Sequence, residues 1–299
     1  MNFRYFRLTT RILAINIARS RAHQSTRPAL DFLGSVGEVT PARNLEDKQM
    51  RFPALVFSTL LLATMVATTP ASASCSPATL KGVYGYYHGR PGGGATITAV
   101  LGQMTSDGAG TLSGSWTMSV NGAITFGSFD GVYTIAGNCT GTLTFATEDT
   151  TPAHFNIFLD DTHKGFQMIQ TDPGFAQPGF GMAQGTTPCG LSGAAQTLAT
   201  NFLGTLFPTL DIEAVAGQLK LNGLGNITGG SETFSVAGTI TVSPVAGSTY
   251  TEQNNCQGTA QIISALGTMN FRTVVVNSGK EWMMLEDDNN TLVAGTAQE

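Results

Sequence analysis

Beyond residue 80 the chain alternates apolar and polar positions with a period of two. Ile97, Ala99 and Leu101 share one side of a run, Phe155, Ile157 and Leu159 alternate with Asn156 and Phe158, and Phe166 and Met168 flank Gln167. Alternation of this kind over four to eight residues marks half-buried strands. The runs are punctuated by Gly, Asn and Asp, as in Ser106-Asp107-Gly108 and Leu221-Asn222-Gly223. Asp-Gly and Asn-Gly supply the positive φ that type I′ turns need, so successive strands are predicted to be antiparallel hairpins. Eight strands are predicted in the first half, near 83–88, 95–103, 110–120, 123–133, 139–147, 155–159, 165–170 and 180–183. Residues 197–207 come nearest to a helical stripe and are read as one short helix.

The pattern occurs twice. Gly102-Gln103-Met104 with Asp107-Gly108-Ala109-Gly110 is matched by Gly217-Gln218-Leu219 with Asn222-Gly223-Leu224-Gly225. Asn138-Cys139-Thr140-Gly141-Thr142 matches Asn255-Cys256-Gln257-Gly258-Thr259, and Phe155, Lys164, Phe166, Met168 and Asp172 answer to Phe271, Lys280, Trp282, Met284 and Asp288. The copies close on Gly181-Met182-Ala183-Gln184 and Gly295-Thr296-Ala297-Gln298. The expected fold is therefore all-β: two tandem, small, antiparallel up-and-down barrels of about eight strands, spanning 74–187 and 188–299. Closure removes the edges an open sheet would expose. A pair of β-sandwiches is the alternative.

Upstream of the copies, Met50-Arg51, an apolar stretch over 55–67 and Ala71-Ser72-Ala73 form a charged start, an apolar core and a small-residue cleavage site. That is the build of a secretory signal peptide over 50–73, and the apolar stretch is too short to span a bilayer. Residues 1–49 are expected to lie outside the fold, as a disordered arm or a start assigned too early. Residues 74–299 hold six Lys or Arg against sixteen Asp or Glu, a net charge of −10. So few cations argue against nucleic acid and anionic membranes as partners. Cys75, Cys139, Cys189 and Cys256 all follow the cleavage site. An even count in an exported chain predicts two disulfides, and the repeat places one in each copy, Cys75 to Cys139 and Cys189 to Cys256. Localisation is expected to be secreted or periplasmic, with no membrane insertion after signal cleavage.

Each copy also resembles the calycin group of small barrels, the lipocalins and avidins. Leu80-Lys81-Gly82-Val83-Tyr84 after a Cys is similar to the group's Gly-x-Trp opening, with Tyr84 in place of Trp. Asp107-Gly108 followed by Leu112-Ser113-Gly114-Ser115-Trp116 is similar to the second hairpin of avidins. The Trp residues that avidins use for biotin are mostly absent here, so biotin is not carried over. The tandem pattern also looks like that of uncharacterised secreted bacterial proteins.

No chemistry stands out. The three His of the copies, His88, His154 and His163, all belong to the first, and their spacings define no metal site. Gly190-Leu191-Ser192-Gly193 lacks the Gly-x-Ser-x-Gly elbow. Asp107 becomes Asn222 in the second copy, as a turn residue can and a calcium ligand should not. Pro91-Gly92-Gly93-Gly94 reads as a flexible hairpin loop, with no Lys or helix behind it. The expected catalytic, metal and cofactor sets are empty. Tyr84 and Tyr86 should share a face, with Tyr87 and His88 elsewhere, and small residues at Ala99, Gly114 and Thr125 would leave room inside. The leading expectation is a non-enzymatic barrel that holds a small apolar ligand against Tyr84, Tyr86, Trp116, Phe166, Met168, Trp282 and Met284. The alternatives are an interaction module with solid barrels and, less favoured, an isomerase or cyclase.

Overall fold

The computed structural model describes residues 74–89, 96–146, 151–175, 177–185, 189 and 195–299. The N-terminal extension, the signal-like segment, the 91–94 loop, the 190–193 segment and the boundary at 187 and 188 lie outside the described residues. Alternation turns into strands throughout the rest. The first copy comprises β1 (Gly82–Gly89), β2 (Thr98–Ser106), β3 (Thr111–Val120), β4 (Ala123–Ile135), β5 (Thr140–Ala146), β6 (Ala153–Leu159), β7 (Gly165–Gln170) and β8 (Pro178–Ala183). Each pairs antiparallel with the next, and β8 closes on β1 through Tyr84–Ala183, Tyr86–Gly181 and His88–Gly179, giving a closed eight-stranded barrel.

The second copy comprises β9 (Thr197–Leu206), β10 (Asp211–Leu221), β11 (Asn226–Val236), β12 (Thr239–Pro244), β13 (Ser248–Glu252), β14 (Gln257–Ser264), β15 (Gly267–Val276), β16 (Glu281–Glu286) and β17 (Thr291–Gln298). It too closes as an eight-stranded barrel, with its fourth strand broken in two: β11 pairs first with β12 and then with β13. The break follows from Pro244, which has no N–H to give a ladder. Val245, just past it, turns into the core and is 2% exposed.

Residues 197–207 are a correction. They form β9 and not a helix, with burial that alternates at every residue through Leu198, Thr200 and Phe202. Closure against β10 and β17 decides this, since tertiary pairing overrides a weak local preference. The turn chemistry also shifts. The two-residue type I′ turns lie at Asn121-Gly122 (φ 50° and 79°) and Ala237-Gly238 (φ 48° and 83°). At Asp107 the loop is longer, because its carboxylate accepts from the N–H groups of Ala109, Gly110 and Thr111 at 2.7, 3.1 and 3.0 Å. These bonds, with one from the Thr111 hydroxyl, hold its pKa down to about 2. Asn222 does the same for Leu224 and Asn226. Register corrects the match at the copy ends: Phe166 faces Gly181 and Trp282 faces Ala297, so Gly181 answers to Ala297 and not to Gly295.

The copies share their clasps. Disulfides join Cys75 to Cys139 and Cys189 to Cys256, each within one barrel, as befits an oxidising environment. Thr134 meets Thr142 at 2.8 Å in one barrel, and Thr251 meets Thr259 at 2.8 Å in the other. Asp172 receives the His154 backbone N–H at 2.9 Å, and Asp288 that of Asn270 at 2.7 Å. Among the described residues no helix is long and apolar enough to cross a membrane.

A third core lies between the barrels. Ile97, Ala99 and Leu101 point out of the first barrel and pack on Val274, Val276, Met283, Leu285, Leu292 and Ala294 of the second. The outer faces of β1 and β2 are thus buried against β15, β16 and β17. Gly85 is required at this contact, since a Cβ there would lie 2.5 Å from Val276 Cγ1 and 2.7 Å from a Val274 methyl. Gly85→Val should therefore destabilise the pair by about 1–3 kcal/mol, as overpacking does. Equilibrium denaturation measures this, and an unchanged midpoint would mean the barrels do not meet here.

Candidate functional site

Two places collect chemically capable side chains: the barrel interiors and the outer groove where the barrels meet. Inside the first barrel, inward rings lie across inward glycines on neighbouring strands. Tyr86 covers Gly102, Phe129 covers Gly114, Trp116 covers Gly127 and Phe166 covers Gly181, each where a Cβ would stand within about 2.6 Å of the ring. The flat rings then pack against one another at tilted angles. Phe129 and Phe145 are 4.6 Å apart between centroids, Phe145 and Phe155 5.2 Å, and Tyr86 and Phe145 5.4 Å. Such offset and tilted pairs add to the burial of the rings themselves.

The expected ligand-facing residues of this copy, Tyr84, Tyr86, Trp116, Phe166 and Met168, all belong to this inner core. His88 belongs there too, a correction to the face assigned above: residues 84, 86 and 88 have the same parity. It stacks on Tyr86 with centroids 6.2 Å apart and meets Phe155 edge-on at 4.9 Å. Its Nδ1 lies 3.1 Å from Gln177 Oε1. Burial holds its pKa down at about 4, keeping the ring neutral. Of the expected small inward residues, Ala99 faces the other barrel, the space before Gly114 holds the Phe129 ring, and Thr125 is exposed. His154 pairs with Asp172 at 2.7 Å on the surface. His163 Nε2 lies 3.5 Å from Cys75 Sγ, a sulfur already committed to the disulfide.

Inside the second barrel, Trp282 packs against Tyr250 at 5.1 Å and Phe202 stacks on Phe271 at 5.2 Å, with Met284 fully buried among them. Three glutamates also point inward. Glu232 is fully buried, Glu286 is 4% exposed and Glu213 8%. Among the described residues neither carboxylate oxygen of Glu232 has a hydrogen-bond partner, nor does Glu286 Oε2. Burial, with Glu213 as a like charge, raises Glu232 to about 7. Burial, with Glu213 and Asp288, raises Glu286 to about 8 against the help of Thr291. A carboxyl so placed holds a proton instead of a charge. Parity could have found all three, because Glu213 precedes Val215, Glu232 precedes Phe234 and Glu286 follows Met284 by two residues each.

The groove runs over the outer face of β2, β3 and β4 and across the junction to β14 and β15. One part, about 240 Å³, is lined by Ser115, Thr117 and Phe126 of the first barrel and Gln257, Thr259 and Arg272 of the second. The adjoining part, about 350 Å³, is lined by Gln103, Thr105, Ser113, Ser128 and Asp130 and shares Ser115. Amides tie the walls together. Gln257 Nε2 donates to Ser115 Oγ at 2.8 Å and lies 3.3 Å from Gln103 Oε1, while Gln103 Nε2 donates to Gln184 Oε1 at 2.6 Å and to the Asn255 carbonyl. Phe126 is 56% exposed, with the Arg272 guanidinium 4.9 Å from its ring centroid. Asp287 fixes that guanidinium through Nε at 2.6 Å.

No protein-family model matches the chain, and no curated protein matches it by sequence. Among solved structures it is similar to kievitone hydratase from Nectria haematococca, at 7% identity and a TM-score of 0.29 over 77% of this chain and 94% of that one. It is also similar to the AttH protein from Nitrosomonas europaea, at 7% identity and a TM-score of 0.24 over 73% and 92%. Likenesses at this level carry nothing about activity.

Proposed function

We propose that the chain is an exported, non-catalytic interaction protein whose barrels are solid and whose outer surface makes the contacts. The filling of the first barrel supports this reading above all. Tyr86, Phe129, Phe145, Phe155 and Phe166 are each 7% exposed or less and interleave with inward glycines, where a ligand-holding barrel keeps an open lumen. The signal-like segment, the two disulfides and the acidic surface agree with an extracytoplasmic site of action. The calycin-like opening and hairpin fit the same scaffold, used for its rigidity and not for its cavity.

The reading is tested by titrating the disulfide-bonded protein with the apolar fluorophore N-phenyl-1-naphthylamine. Weak, non-saturating uptake with no quenching of Trp116 or Trp282 is expected. Saturable one-to-one binding with tryptophan quenching would restore the interior-ligand reading and remove this one.

A further inference from the structure

We propose that the groove across the two barrels is a binding site for a neutral oligosaccharide. The inference rests on the outer-surface reading above and names the ligand class for it. Its walls carry hydroxyls and carboxamides in rows: Thr105 and Ser113 beside Asp130, then Gln103 and Ser115 beside Ser128, then Thr117 beside Phe126. Side chains of these types both donate and accept, which is what a sugar's hydroxyls require on each edge. Phe126 supplies one exposed ring to lie under the apolar face of a pyranose, and its position is held by Arg272 and Asp287.

The rows extend from residue 101 to residue 105 of β2. At about 3.3 Å per residue that is roughly 13 Å, room for a di- or trisaccharide. The second barrel supplies the facing wall through Gln257 and Thr259, so the site exists only because the two copies are packed together. Other ligand classes fit poorly. A polyanion would meet Asp130 and one cation that is already paired, within a chain segment of net charge −10. A lipid would find one large apolar side chain exposed, Phe126, beside the small Ala146. A protein interface would need several apolar or aromatic anchors at its centre, and the groove has one.

The test is titration calorimetry of the disulfide-bonded protein with cellotriose, chitotriose, laminaritriose, maltotriose and xylotriose. Saturable binding of at least one is expected, weakened about tenfold by Phe126→Ala and unchanged by Phe158→Ala, an exposed ring (51%) on β6 outside the groove. A second variant, Thr117→Val, keeps shape and should weaken binding without loss of fold, as judged by circular dichroism. No binding by any of the five, binding indifferent to Phe126→Ala, or equal losses in both phenylalanine variants would overturn the proposal. So would a protein partner held through Phe126 in place of sugar. Failure of the outer-surface reading looks different, because it appears as saturable naphthylamine uptake with tryptophan quenching.

Discussion

Phe155→Ala lowers the stability of the first barrel by about 3–5 kcal/mol, the cost of removing a fully buried ring and leaving its space behind. Phe155 is 1% exposed and touches both the Phe145 ring and the His88 ring, so neither neighbour can relax into the gap without losing its own partner. The chain has two tryptophans, Trp116 in the first barrel and Trp282 in the second, so each barrel carries its own reporter. Denaturation followed in a Trp282→Phe background isolates the first. The same substitution should open a cavity in the barrel: naphthylamine, expected not to saturate the parent protein, is expected to bind the variant, as apolar cavities accept apolar guests. A loss below about 1 kcal/mol would mean that the ring stack does not hold the barrel closed.

The two barrels should respond to pH in opposite directions. Glu232 and Glu286 have folded-state pKa values raised from 4.5 to about 7 and about 8. Between pH 4.5 and those values the folded barrel holds protons that the unfolded chain releases, so stability falls as pH rises and levels off above about 8. The effect reaches roughly 3 kcal/mol for Glu232 and roughly 5 kcal/mol for Glu286. His88 has the reverse sign. Its folded pKa of about 4 lies below the ordinary 6.5, so the first barrel is fully stable above pH 6.5. It loses roughly 3 kcal/mol as pH falls to about 4. Denaturation midpoints read from Trp116 and Trp282 across pH 4.5–8.5 check both trends. Glu232→Gln with Glu286→Gln should lessen the slope of the Trp282 profile and leave the Trp116 profile in place. The remaining slope comes from Glu213, Glu252 and Glu281, which burial also raises. A Trp282 midpoint that rises with pH would show that these carboxyls are charged in the fold.

Much of this architecture is legible along the chain. Alternation at Phe155, Ile157, Phe166 and Met168 places strands within one or two residues of where they form, and the paired cysteine motifs at Asn138-Cys139 and Asn255-Cys256 reveal two equivalent units. Local patterns suffice there because a strand's period and a turn's glycine are properties of the neighbouring residues alone. The site is less legible. His88 is expected on another face although its parity matches Tyr86, and Glu213 and Glu232 carry no expectation from the sequence. Alternation says which residues share a face, but not whether that face looks into a barrel, to water or at another barrel.

The sequence by itself determined the all-β class, the duplication, the antiparallel order and the cysteine partners within each copy. Only the tertiary structure decided that residues 197–207 are a strand, that Ala99 and Leu101 serve a junction between barrels, and that rings pack over glycines inside the first barrel. It also decided that hydroxyls and amides from both copies converge in one groove. The physical reason is range. Backbone pairing and turn geometry act between near neighbours, whereas packing and burial depend on residues such as Gly85 and Val276, brought together only when two closed sheets dock.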